Sequence, residues 1–125
     1  MRITYGKNVY GKAEIDSVVA QLKKSTQMGK SVSDFEKRIA KKFSKKYGLM
    51  VNSGSSALTL AMNVLNFSKG DEIIAPCLNF GTAISSIILC GAVPILVDVE
   101  IDTLQIDPDK IEEKITKKTK AIMVP

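Results

Sequence analysis

Apolar residues fall at helical spacing near the start of the chain. Between residues 11 and 24, Ile15, Val18, Val19 and Leu22 lie on one face of a 3.6-residue period and predict an amphipathic first helix. Residues 25–30 read as a loop. Ser33-Asp34-Phe35-Glu36 then has the form of a capping box, Phe35, Ile39 and Phe43 make one stripe, and Gly48 stands where a C′ residue would end a second helix. Downstream the pattern changes. Three short apolar runs, 49–51, 72–75 and 93–97, are separated by helical segments at 55–67 and about 79–89. A further helix is predicted over 108–117 from the Asp107-Pro108 start and the Ile111, Ile115 spacing, and 120–125 reads as another buried strand. Strand and helix in alternation predict right-handed crossover units on a mainly parallel sheet covered on both faces, an α/β fold with three αβα layers.

Composition narrows the class. At 125 residues the chain is one domain or part of one, with 45% hydrophobic and 25% charged residues, an ordinary globular balance. No apolar run reaches the roughly 18 residues that span a bilayer, and the first residues lack a signal-peptide core, so a soluble, cytoplasmic protein without a membrane partner is expected. The net charge of +5 comes from helix-spaced lysines such as Lys41, Lys42, Lys45 and Lys46. With no aromatic residues interleaved, these read as solvated helix faces rather than a nucleic-acid groove. Cys77 and Cys90 are the only cysteines and there is no histidine. A Ser-His-Asp or Cys-His mechanism therefore cannot be completed within these residues, and no metal site is expected.

The candidate chemistry begins at Val51-Asn52-Ser53-Gly54-Ser55-Ser56-Ala57-Leu58, an apolar run entering a Ser/Gly turn that opens onto a helix. The first turn of a helix leaves backbone N–H groups without intrahelical partners at the positive end of the macrodipole, a natural place for a phosphate. Ser55 and Ser56 are the anion contacts on this reading, with Gly54 shaping the turn; the alternative is that these residues simply cap their helix. Phe80, beyond the strand that ends near Pro76, is either an aromatic platform for a flat ligand or a core residue. A phosphate cradle beside an aromatic platform matches a phosphorylated aromatic cofactor.

The octapeptide from Val51 to Leu58, followed by Gly70-Asp71-Glu72-Ile73-Ile74-Ala75-Pro76, Gly91-Ala92-Val93-Pro94-Ile95-Leu96-Val97-Asp98-Val99 and Lys118-Thr119-Lys120-Ala121-Ile122-Met123-Val124-Pro125, resembles the successive blocks of the DegT/StrS family. Met28-Gly29 with Phe35-Glu36 resembles that family's opening block. The resemblance implies a homodimeric, pyridoxal 5'-phosphate (PLP) dependent enzyme that aminates keto sugars on nucleotides, with an amino donor such as glutamate, in cell-surface polysaccharide or deoxyamino-sugar biosynthesis. It implies the large domain of an aspartate-aminotransferase-type fold (PLP fold type I), with Gly54, Ser55 and Ser56 at the cofactor phosphate and Phe80 on its ring. Gly29 would lie near the sugar or the subunit interface, and Asp98 reads as a structural acid at a strand end.

The family's catalytic lysine, which holds PLP covalently, lies downstream of anything matching this chain, so no catalytic residue is assigned here and the chain alone is expected to be inactive. Residues 1–125 are read as the N-terminal portion of the PLP-binding large domain of a longer protein, since the last predicted strand stops where it would turn into its loop. Two other readings stand beside the aminotransferase: a nucleotide-sugar 3-dehydrase of the same family, with histidine in place of the lysine, and a non-catalytic phosphate-binding domain.

Overall fold

The computed structural model describes residues 6–27 and 29–124, which divide into two compact units at Met50. The first unit is helical. Helix α1, Lys12–Lys24, forms where the apolar period predicts it, and the Gly11 N–H at its start donates to Glu14 Oε2 at 2.7 Å. None of its residues is buried, and Ile15, Val18, Val19 and Leu22 form an exposed apolar face.

Helix α2, Lys30–Lys42, begins three residues before the expected capping box. Gly29 is its N-cap and the Ser33 N–H donates to the Gly29 carbonyl at 3.1 Å, so Ser33 lies inside the first turn and caps nothing. Glu36, free of that box, instead accepts the Met50 N–H at 2.8 Å. The helix also ends earlier than Gly48. Ser44 takes the left-handed conformation (φ 52°), its N–H donates to Lys41 at 3.1 Å, and the Lys45 N–H reaches back to Ala40 at 2.8 Å. That pair of bonds is a Schellman closure with serine at C′. Gly48 has a different reason to be glycine, since a Cβ there would sit 2.7 Å from the Glu36 carbonyl oxygen. Met28, part of the opening block, lies outside the described residues.

The second unit contains the sheet. Strands β1 (Glu72–Pro76), β2 (Val93–Val97) and β3 (Thr119–Ile122) run parallel in the order β2-β1-β3. The run Ile73-Ile74-Ala75-Pro76 is buried on both faces, the signature of a central parallel strand, while Pro94 is accommodated because β2 pairs on one side only among the described residues. Helices α3 (Gly54–Leu65) and α4 (Gly81–Leu89) pack on each other, and α4 packs on β2. Met62, Ile73, Ala75, Ile87 and Ala92 form the core, with Phe67, Ile84 and Met123 against it. Thr116 Oγ1 donates to Glu72 Oε2 at 2.5 Å, tying the approach to β3 to the start of β1.

Two further expectations fail here. Residues 49–51 join no ladder among the described residues, so the first apolar run is an extended lead into α3 rather than a strand. Residues 108–117 form two short 3-10 turns, Pro108–Lys110 and Glu112–Lys114, because the Asp107 cap starts a turn that Ile115, in extended conformation, terminates before a helix can propagate. Among the described residues, no helix is long and apolar enough to cross a membrane.

Candidate functional site

A cavity of about 590 Å³ opens beyond the carboxyl ends of β1 and β3. The chain leaves β1 through α4 toward β2, away from β3, so this connection does not cover the crevice between β1 and β3. Open α/β sheets bind ligands in crevices of this kind. The start of α3 supplies Gly54, Ser55 and Leu58; the segment after β1 supplies Asn79 and Phe80; Met123 and Val124 follow β3.

Ser53 is the N-cap of α3. Its backbone is extended, its Oγ accepts the Ser56 N–H at 3.1 Å, and its hydroxyl donates to Ser56 Oγ at 3.0 Å. The Ser56 hydroxyl is thus engaged in the cap, and Ser56 faces a shallower depression beside Thr59 and Asn63 instead of the cavity. The N–H groups of Gly54 and Ser55 and the Ser55 hydroxyl have no hydrogen-bond partner among the described residues. A Cβ on Gly54 would meet nothing within 4 Å, so this corner opens onto space. Two backbone donors without partners among the described residues thus stand at the positive end of a twelve-residue helix, an arrangement that suits an anion.

Phe80 is 70% exposed and lines the cavity, so it is not a core phenylalanine. Asn79, beside it, was not singled out as a site residue by the sequence pattern. Its Oδ1 accepts the Phe80 N–H at 2.7 Å, while Nδ2 is buried without a partner. An asparagine preceding an aromatic at a strand end is a faint signal; the unpaired amide becomes visible only in the fold. Gly29 belongs to the first unit, whereas every lining residue of the cavity belongs to the second.

Asp98 lies outside the cavity lining. Its Oδ1 accepts the Val99 N–H at 2.9 Å and the Cys77 thiol at 3.4 Å, and Lys110 Nζ stands 3.7 Å from Oδ2. These contacts, the Val99 N–H foremost, hold its carboxyl below the usual aspartate range. No lysine lines the cavity among the described residues.

Residues 9–124 match the DegT/DnrJ/EryC1/StrS aminotransferase family. The chain belongs to this family. The fold is accordingly the aspartate-aminotransferase-type α/β fold that the resemblance implied. Over 97 residues the chain is 45% identical to dTDP-3-amino-3,6-dideoxy-alpha-D-galactopyranose transaminase of Aneurinibacillus thermoaerophilus, covering 78% of this chain and 27% of that protein. Over 122 residues it is 36% identical to the spore coat polysaccharide biosynthesis protein SpsC of Bacillus subtilis, covering 97% of this chain and 31% of that protein. The solved structure of Escherichia coli GDP-4-keto-6-deoxy-D-mannose-3-dehydratase with bound hydrated PLP superposes with a TM-score of 0.86 at 33% identity, covering 94% of this chain and 32% of that one. The chain thus spans about a quarter to a third of the length of these relatives.

Proposed function

We propose that this chain supplies part of the cofactor-binding large domain of a PLP-dependent enzyme that moves an amino group, from a donor such as glutamate, onto a keto sugar carried by a nucleotide. The observation that carries this reading is the cavity in which a helix N-terminus with free donors faces the same space as an exposed aromatic ring. The residues fit the cofactor. Gly54 and Ser55 would hold its phosphate through two backbone N–H groups and one hydroxyl, and Phe80 would lie against its ring and exclude water from that face. Ser56 would act through the cap, keeping the first turn of α3 in place. The orphaned Asn79 amide is a further donor awaiting an acceptor. When bound, PLP supplies an electron sink for the carbon that gains or loses the amino group. The lysine that works on that carbon would come from outside these residues, and the assembly proposed is a cytoplasmic homodimer whose substrate is made for surface polysaccharide or deoxyamino sugars.

The test is cofactor retention by the product of the complete gene. Replacing Ser55 and Ser56 together by alanine is expected to weaken PLP retention about tenfold or more, as loss of charge-assisted hydrogen bonds does. Phe80→Ala should shift the visible absorption of the bound cofactor. Unchanged retention in the first variant and an unchanged spectrum in the second would sink the assignment.

The superposition on the 3-dehydratase favours a second reading, removal of a sugar hydroxyl on the same cofactor. Product mass separates the two, since an amino sugar formed at the expense of the donor marks transfer and loss of the hydroxyl marks dehydration.

A further inference from the structure

Asn79 stands at the wall of the cavity between β1 and α4. Its Oδ1 accepts the Phe80 N–H at 2.7 Å, which fixes the amide orientation, because the reversed carboxamide would set N–H against N–H. Nδ2 carries two donor hydrogens and is buried with no acceptor among the described residues. No other buried side-chain nitrogen or oxygen among them lacks a partner. Buried polar groups in native proteins are paired as a rule, so Nδ2 is open to an acceptor from the cavity, a water or a ligand oxygen. Among the described residues the lining contributes no carboxylate that would repel an anion, and the same lining holds the start of α3 and Phe80.

We infer that Asn79 is a ligand-positioning residue whose Nδ2 donates to an anionic oxygen of the phosphorylated aromatic compound lying against Phe80. This inference rests on the function proposed above. One side chain then serves two ends: Oδ1 holds the backbone at the platform residue, and Nδ2 orients what rests on the platform. The accepting oxygen belongs either to the phosphate or to the ring.

The experiment is calorimetric titration of the complete gene product with pyridoxamine 5'-phosphate, which carries an amine in place of the aldehyde and so cannot condense with surface lysines. Asn79→Ala is expected to lower affinity about tenfold, the range for a hydrogen bond to a charged group. Asn79→Asp keeps an acceptor for the Phe80 N–H and replaces the donor with a negative charge, so it should bind more weakly still. A role confined to holding the Phe80 backbone predicts the reverse order, with the Asp variant binding like wild type and the Ala variant merely less stable to heat. Wild-type affinity in either variant overturns the inference. Pyridoxamine without phosphate locates the acceptor: a tenfold loss that persists with it places the acceptor on the ring, and one that vanishes places it on the phosphate, both supporting the donor role. Failure of the wild-type protein itself to bind the probe would overturn the proposed function, a result distinct from binding that Asn79 does not affect.

Discussion

At the scale of single residues, the aspartate at the end of β2 shows how a sequence motif becomes an electrostatic fixture. Asp98 gathers a backbone N–H, a thiol and a lysine, and its carboxyl is held below the ordinary range. A depressed carboxylate stabilises the fold above its unfolded pKa, about 3.9, and that contribution is lost as pH falls through the lower folded value. Asp98→Asn retains an oxygen for the Val99 N–H but loses the charge facing Lys110. The variant should therefore unfold at lower urea than wild type at pH 7, with the two midpoints converging as the pH falls below the lowered folded value. A gap that stays constant over that fall in pH would show that the charge contributes nothing. The site's residues were unequally legible for a related reason. Gly54, Ser55 and Phe80, which line the cavity, announce themselves because a Ser/Gly turn before an apolar-periodic run marks a helix start and a short apolar run marks a strand end. Asn79 does not, since whether an amide is paired depends on neighbours brought in by the fold. Ser56 looks like Ser55 in the sequence, and only the fold shows that Ser53 takes up the Ser56 hydroxyl while Ser55 lines the cavity.

Among the elements, periodicity served well wherever an apolar face is long or an apolar run is short and uninterrupted. Helices α1, α3 and α4 and strands β1 and β2 fall within two residues of their predicted bounds. Boundaries set by competition between partners were not visible. Glu36 could have closed a capping box with Ser33, but the Met50 N–H takes its carboxylate, and Gly29 starts the helix one turn earlier. At the other end, glycine is the residue usually found at C′, yet Ser44 occupies the left-handed position while Gly48 relieves a contact with Glu36. That arrangement carries a strain that a substitution can release. Ser44→Gly should stabilise α2 by about 0.5–1 kcal/mol, because a side chain with a Cβ is disfavoured at positive φ. Circular dichroism through a thermal melt measures it, and a lowered melting temperature would mean that the serine stabilises this turn by other means.

Taken as a whole, the molecule distributes its buried apolar surface unevenly. In the second unit Ile73, Ile74, Ile87 and Val97 are fully enclosed, with the central strand at the heart of the sheet. In the first, α1 buries nothing and α2 buries Ala40 alone. Helices of thirteen residues are marginal in water without tertiary packing. Parallel alternation was readable from the sequence because it follows from where strands and helices repeat; the unequal burial was not, since the same amphipathic stripe appears whether or not anything covers it. Native-state hydrogen exchange on this chain should therefore show a steep gradient. The amides of β1 are expected to exchange only through global unfolding, and those of α1 close to the rate of an unstructured peptide. Protection of α1 equal to that of β1 would contradict the exposed face of Ile15, Val18, Val19 and Leu22. Were such protection to fade on dilution, it would identify a second copy as the surface covering that face.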